Sequence, residues 1–264
     1  MIYPDDFINK IICGDCLGVL QDIPDEIIDL VVTSPPYDNL REYNGYKFDI
    51  SDLANQLYQI LKVGGVLVWV VGDATIKGSE TGTSFKQALY FMKIGFNLHD
   101  TMIYYKNSYP FPPVNRYYQQ FEYMFVLSKG KPKTTNIQRQ PTDIRWRNKE
   151  NKSSSQRHAD GTTTKLKYEV GKDDRKMDNV WALNTGYMKS TPDKIAYQHP
   201  AIFPDVLAER HILSWSNEGD IVLDPMCGSG TTCKMAKKNN RNFIGVDISE
   251  EYCEIARSRL NGVL

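Results

Sequence analysis

The stretch from Ile221 to Asp247 constrains the fold most. Ile221-Val222-Leu223 is a short apolar run, and it leads into Asp-Pro-Met-Cys-Gly-Ser-Gly-Thr-Thr, residues 224–232. A strand that ends in a glycine-rich turn and opens a helix, here Cys233 to Lys238, is half of a β-α-β unit. The next strand, Asn242 to Val246, ends in Asp247. Parallel strands need such crossovers, so the pattern points to an α/β sheet. Gly228 and Gly230 permit positive φ and close approach of backbone to a ligand. The turn is no phosphate loop, because the Gly-Lys-Ser/Thr ending is absent, and it lacks the full three-glycine dinucleotide spacing. Asp247, about twenty residues on, stands where a carboxylate accepts hydrogen bonds from a ribose. Glycine turn and acidic strand end together indicate a nucleoside-containing cofactor. The turn alone would fit an ordinary βα connection.

A second strand end carries a different signal. Ile27-Ile28-Asp29-Leu30-Val31-Val32 reads as a buried strand, and Thr33 to Tyr37 follows as Thr-Ser-Pro-Pro-Tyr. Two prolines stop the ladder, since proline offers no N–H and fixes φ. The product is a short stiff loop at the carboxyl edge of a strand, where open α/β sheets bind ligands. Ser34 and the Pro35 carbonyl would be held there as acceptors beside the Tyr37 ring. Such a pair suits a flat base with an exocyclic amino group. A Pro-Pro turn that merely ends a strand is the alternative.

The chain of 264 residues with 41% hydrophobic content is enough for one large α/β domain carrying an insertion. No run approaches the ~20 apolar residues of a membrane span. The N-terminus lacks the basic and apolar blocks of a signal peptide, so a cytoplasmic protein is expected. Five cysteines are an odd number, against a disulfide framework. Cys13 and Cys16 have CxxC spacing, but no second pair stands at a zinc spacing, and no metal is expected. A redox pair stays open.

Charge is balanced overall but not locally. Residues 129–178 hold 14 of the 32 Lys and Arg and 7 of the 32 Asp and Glu, an excess of +7 that leaves −7 elsewhere. A basic segment on an acidic body suggests a polyanion contact at one place, with a solvated insertion as the alternative. Hydrophobic periodicity also lapses there, and ordered structure is expected to resume at Val180-Trp181.

Seven strands are expected: 10–13, 27–32, 66–71, 101–105, 121–127, 221–223 and 242–246. Ser51 reads as the cap of a helix ended by Gly64-Gly65. Ser84 to Ile94 reads as a helix with Phe85, Leu89 and Met92 on one side. Phe203-Pro204 opens another, and Ser249 caps the last, with Glu250 and Glu251 in its first turn.

The Asp224–Thr232 turn, the Gly-Val-Asp strand end at Asp247 and Thr-Ser-Pro-Pro-Tyr together resemble the amino-group DNA methyltransferases that use S-adenosylmethionine. The order resembles their permuted β group: catalytic tetrapeptide first, glycine turn last, basic insertion between. The resemblance covers nearly the whole chain except that insertion. It implies a class I, Rossmann-like α/β fold, with a seven-stranded, mostly parallel sheet and helices on both faces. It divides the chain into a catalytic part (1–128), a basic target-recognition insertion (129–178) and a cofactor-binding part of the same domain (179–264).

The resemblance also implies residue roles. Asp224, Met226, Cys227, Gly228, Gly230 and Thr231 would line the methionine part of the cofactor. Asp247 would bind the ribose, Ile248 would pack on the adenine, and Asp15 with Cys16 would hold the adenine edge. His199 belongs to a segment resembling the one that closes over the methionine end. Ser34, Pro35, Pro36 and Tyr37 form the catalytic loop, with Tyr37 stacking on a flipped-out base. Tyr105 and Lys106 sit where the family has its second pocket wall, with core packing the alternative for Tyr105. Arg139, Arg145, Arg147 and Arg157 are candidates for contacts to duplex DNA.

Ser-Pro-Pro-Tyr is more typical of N4-cytosine than of N6-adenine enzymes, so cytosine N4 is expected and adenine N6 is the alternative. The partner is double-stranded DNA. A restriction–modification setting is expected, a cognate endonuclease is left open, and dimers are frequent in the group. Two rivals are a methyltransferase of protein or RNA amino groups and a DNA-binding protein without catalysis. The motif order and basic insertion count against the first. The intact glycines and Asp247 count against the second.

Overall fold

The computed structural model describes residues 1–36, 50–107, 115–142, 154–166 and 173–263. Tyr37, Arg145 and Arg147 lie outside them.

The larger of two compact units, residues 1–136 and 179–263, is built on one eight-stranded sheet. Its strands are β1 (Lys10–Cys13), β2 (Ile28–Thr33), β3 (Leu61–Val71), β6 (Asn97–Lys106), β7 (Phe121–Ser128), β12 (Val180–Leu183), β13 (Ile221–Asp224) and β14 (Asn242–Asp247). A small hairpin, β4 (Thr75–Ile76) and β5 (Ser79–Glu80), follows β3. The sheet order is β1-β14-β13-β2-β3-β7-β6-β12, and β7 alone runs antiparallel to its neighbours. Among the described residues the sheet therefore has eight strands, one more than expected. β12 alternates exposed and buried residues over only four positions and pairs on one side, parallel to β6, which explains its weak sequence signal.

Apolar runs such as Leu30-Val31-Val32 and Val66 to Val71 are buried throughout, as parallel strands covered on both faces must be. Helices α1 (Cys16–Leu20), α2 (Ile50–Ile60) and α3 (Thr83–Ile94) pack together, with α2 on β3 and α3 on β6 and β7. Helices α4 (Asp205–Trp215), α5 (Thr231–Lys238) and α6 (Glu250–Asn261) form a second packed group, against β2, β3, β13, β14 and β1.

Two local expectations are corrected. Gly64 and Gly65 do not end a helix; β3 begins at Leu61, directly after α2. Ile28 pairs with Leu61 but Leu30 with Val66, so Lys62 to Gly65 bulge from the ladder. Gly64, at φ +85°, brings its backbone against Lys129 and Lys133, and a Cβ there would stand 2.9 Å from Lys133 Cβ. On α3, the expected apolar side is the outer one: Phe85, Leu89 and Met92 are 50%, 64% and 44% exposed. Ser84, Gln87, Ala88 and Phe91 face inward, because the buried polar atoms find partners. Gln87 accepts from Trp69 Nε1 at 2.8 Å, and Asp73 accepts from the Ser84 amide at 2.9 Å and from its hydroxyl.

The second unit spans Ile137–Asp178. It holds two antiparallel ladders: β8 (Arg139–Pro141) with β11 (Asp174–Lys176), and β9 (Ser154–Arg157) with β10 (Thr163–Leu166). Residues 129–136, the start of the basic stretch, belong to the larger unit. There the Lys133 amide donates to Gly64 O and the Asn136 amide to Ser214 O.

Candidate active site

The seven strands that run the same way end on one edge of the sheet. Along that edge β1, β14, β13 and β2 are neighbours, each about 4.8 Å from the next. Their ends carry, in order, Gly14-Asp15, Asp247-Ile248, Asp224 with the glycine turn, and Thr33 to Pro36. Residues more than 200 positions apart in sequence thus meet because of strand order alone.

The turn is held from two sides. Gly228 and Gly230 adopt φ +51° and +76°, and the Gly230 amide donates to Cys227 O at 2.7 Å. Asp247 Oδ2 accepts from the Gly228 amide at 2.8 Å and Oδ1 from the Ser249 amide at 3.0 Å. Burial pushes the Asp247 carboxyl up, against the pull of those amides. Ile248 beside it is 48% exposed, an apolar surface open to a flat ring. Asp15 is exposed and caps α1, accepting from the Leu17 amide at 3.2 Å. Cys16 is buried, and burial, then the Asp15 charge, pushes its thiol up to about 11. Cys13 points elsewhere, toward the Ile248 carbonyl, and all five cysteines are free.

The side chains of three residues expected to line the cofactor, Asp224, Cys227 and Thr231, are turned inward. Asp224 is buried, and its Oδ1 accepts from Thr33 Oγ1 at 2.7 Å and from the Met226 amide at 3.2 Å. Burial pushes its carboxyl up to about 6, opposed by the Thr33 and Thr232 hydroxyls. Cys227 tucks its sulfur under the turn toward Gly245 and Cys233. Thr231 is buried with its hydroxyl accepting from Arg259 at 2.9 Å. These side chains hold the turn from below; Met226 packs partly on the core, and Ile248 is the exposed apolar residue beside it. His199 packs on the turn: a Cβ at Gly228 would stand 2.8 Å from its Nε2, while its Nδ1 accepts from the Ala201 amide at 3.1 Å.

Ser34 and Pro36 are half-buried and Pro35 is buried at the end of β2. Thr232 Oγ1, from the helix after the turn, donates to Val32 O at 3.1 Å, a second tie between the two motifs. At the end of β6, Tyr105 is exposed and donates to Gln120 Oε1 at 3.0 Å, so it is not a core residue. Lys106 is ion-paired to Glu122 and lies 5.7 Å from the Tyr104 ring centroid. In the second unit Arg139 makes a two-pronged pair with Asp174, at 2.7 and 2.8 Å. Arg157 stands exposed on β9 opposite Thr163. Among the described residues no group of three His, Cys, Asp or Glu is placed to hold a metal, and no helix is long and apolar enough to cross a membrane. A cavity of about 570 Å³ lies away from the motif edge, beside the start of β1 and β14. Of its cations, Lys237 bonds to Leu260 O, Arg241 to Asn239 O and Ser216, and Arg257 to Glu250.

The sequence model of N6 and N4 methyltransferases, described as DNA methylase, matches residues 28–258. The chain belongs to this DNA methylase family. It is 57% identical over 245 residues to the orphan methyltransferase M.BamHII of Bacillus amyloliquefaciens, covering 92% of each chain. Among solved structures it resembles the PvuII DNA methyltransferase (cytosine-N4-specific), with a TM-score of 0.68 at 21% identity, over 94% of this chain and 85% of that one. It also resembles M1.HpyAVI in its complex with SAM, with a TM-score of 0.60 at 22% identity, over 96% and 99% of the two chains. The methylase is therefore a DNA methyltransferase. The strand-end chemistry fits the S-adenosylmethionine expected from the sequence: Asp15 and Asp247 bring two carboxylates to neighbouring strand ends, Ile248 offers an apolar face, and Gly228 and Gly230 add no side chain to the turn.

The sequence did not single out Thr33 or Arg259. Thr33 was visible only as the first letter of the proline loop. Arg259 lies in a helix where an arginine ordinarily reads as a solvated residue.

Proposed function

We propose that this methylase transfers a methyl group to the exocyclic N4 of a cytosine flipped out of duplex DNA. The supporting observation is the placement of Ser34 and Pro35 beside the glycine turn, fixed by the Thr33–Asp224 hydrogen bond of 2.7 Å. When bound, S-adenosylmethionine supplies an electrophilic methyl group. The residues of the chain supply position and acceptors. Asp247, Ile248 and Asp15 hold the adenosine part, while the turn backbone and Met226 border the methionine part, with His199 behind Gly228.

The target nitrogen is an aryl amine whose lone pair is delocalised into its ring. Ser34 Oγ and the Pro35 carbonyl accept its two N–H hydrogens, which favours a pyramidal nitrogen with an available lone pair. Pro36 stiffens the loop, Tyr37 stacks on the base, and Tyr105 borders the pocket. Holding nitrogen and methyl in line supplies much of the rate. Serine is a weak base, so the departing proton passes to solvent. A duplex hides the target atom, hence the flipped base.

The stretch 129–178, with its +7 excess, supplies the phosphate contacts and base reading as a target-recognition segment. Arg139, Arg145, Arg147 and Arg157 are its candidate ligands. Lys106 takes part by exchanging Glu122 for a phosphate. The enzyme acts in the cytoplasm, as a relative of the Type II methyltransferases. The name orphan carried by M.BamHII favours action without a dedicated endonuclease.

Incubation with methyl-labelled S-adenosylmethionine and duplex DNA, followed by digestion to nucleosides, tests this reading. Label in N4-methylcytosine is expected. Label in N6-methyladenine moves the target to adenine. Label on protein or RNA alone, with cofactor still bound, overturns it.

A further inference from the structure

Beneath the glycine turn lies a guanidinium with no access to solvent. The Arg259 side chain is 0% exposed, near the end of α6. Its Nη1 donates to Ser229 O at 2.7 Å, to Ser229 Oγ at 3.1 Å and to Thr231 Oγ1 at 2.9 Å. Its Nη2 donates to Thr191 Oγ1 at 3.3 Å and Asp205 Oδ1 at 3.0 Å, and its Nε to Asp193 Oδ2 at 2.9 Å. Three bonds go to the turn. The other three go to the segment before Lys194 and to the first residue of α4.

The charges balance. Lys234, in the helix that follows the turn, reaches Asp193 at 2.6 Å and Asp205 at 3.2 Å, so two cations face two carboxylates. Burial pushes the Asp193 carboxyl up, but Lys234 and Arg259 outweigh it and hold the group below the usual carboxylate range. An interior needs no such quartet for stability, since apolar replacements of buried ion networks are often neutral or better. What the planar fork of arginine provides is direction: several donors fixed in one plane. Here they converge on the carbonyl of residue 229 and the hydroxyl of residue 231, on either side of Gly230. The same helix touches the turn a second time. A Cβ at Gly230 would stand 2.7 Å from Ala256 Cβ, one helical turn before Arg259.

We propose that Arg259 is a positioning residue for the cofactor: with Asp193 as its anchor, it locks the glycine turn in the shape that receives S-adenosylmethionine. It touches neither cofactor nor base, and it acts through Ser229 and Thr231. A turn ordered before binding spares the ligand the cost of ordering it, so loss of the lock weakens affinity for the cofactor first.

The test compares the full-length wild type with Arg259→Lys and Asp193→Asn, using S-adenosylhomocysteine as the calorimetric probe. Lysine keeps the charge but cannot span Ser229, Thr231 and Asp205 together. The Kd for S-adenosylhomocysteine is expected to rise by about tenfold or more in Arg259→Lys, on the scale of one or two charged hydrogen bonds. KM for S-adenosylmethionine should rise by a larger factor than kcat falls, and cofactor-free affinity for duplex DNA should hold. Asp193→Asn touches Arg259 but not the turn, and should weaken binding by a smaller factor. The double variant should bind no worse than Arg259→Lys alone. A folded Arg259→Lys protein with wild-type affinity, or additive effects in the double variant, overturns the proposal. If Arg259→Lys does not fold, unchanged affinity in Asp193→Asn overturns it.

Discussion

Thr33 and Asp224 meet across 2.7 Å in the interior, hydroxyl to carboxylate, with no solvent access to either. Thr33 is the residue before Ser34, and Asp224 opens the glycine turn, on neighbouring strands β2 and β13. This hydrogen bond, with that of Thr232 Oγ1 to Val32 O, sets the proline loop against the glycine turn.

Thr33→Val tests that tie with little change of shape. It leaves the Met226 amide donating to Asp224 Oδ1, and it removes one of the groups that offset the burial of the carboxylate. A buried hydrogen bond to a charged group contributes about 1.5–3 kcal/mol, so the urea midpoint should fall accordingly. The methylation rate should fall with it, because the loop loses its registration on the turn. A variant with unchanged stability would mean that the bond is not formed in solution.

Gly230→Ala should be severe for two separable reasons. Its φ of +76° is unfavourable for alanine, which costs about 1 kcal/mol. The new methyl would also overlap Ala256, at 2.7 Å from Cβ and 3.0 Å from Cα, and overpacking costs about 1–3 kcal/mol. Adding Ala256→Gly removes the contact to Cβ, and should restore that share of the second part, but leaves the 3.0 Å contact to Cα and all of the first. Urea titrations of the two single variants and the double variant separate the terms. Full restoration in the double variant would show that φ strain is absent.

Much of this architecture was legible in the sequence, and the limits have physical causes. Runs such as Leu30-Val31-Val32 are buried on both faces, so they announce strands without help from tertiary context. The glycine turn, Asp247 and the proline loop were legible because each needs special backbone or charge at a strand end. The outward side of α3 is not legible in the sequence because Gln87 and Ser84 are buried polar residues, and only Trp69 and Asp73, in β3 and just after it, reveal their partners. The family resemblance places Asp224, Cys227 and Thr231 along the cofactor. Their inward direction depends on Thr33, Cys233 and Arg259, which lie at other places in the chain. The ion pairs of Lys106 with Glu122 and of Arg139 with Asp174 are hidden from the sequence for the same reason, since the partners lie on other strands.

His211 should make the fold sensitive to acid. It is fully buried on α4, with Nε2 3.3 Å from Met124 Sδ and its ring 4.6 Å from that of Trp181. Burial, reinforced by the Arg210 charge, pushes its pKa down to about 3. An unfolded chain binds that proton near pH 6.5, so between these values the unfolded state holds more protons than the native one. Stability is thus present above pH 6.5 and is lost as pH falls toward 3. His211→Gln cannot titrate, and its unfolding free energy should fall less steeply from pH 6.5 to 4.5 than that of the wild type. Urea midpoints across that range give both slopes, and parallel slopes would mean that the imidazole is protonated in the native state.

Ser34→Ala addresses the chemistry itself. The change removes one hydroxyl from the end of β2 and leaves Asp247, the glycine turn and the Thr33–Asp224 bond in place. Affinity for S-adenosylhomocysteine should therefore be unchanged within error. If Ser34 Oγ accepts a hydrogen from the target amine, the transition state loses one of two oriented acceptors while the Pro35 carbonyl remains. By comparison with other preorganised polar contacts, single-turnover methylation should slow by about 10²–10³-fold. The rate should not recover at saturating cofactor, because the lost interaction is with the base. A variant that methylates at the wild-type rate would remove Ser34 from the mechanism and leave the proline loop as a shape element alone.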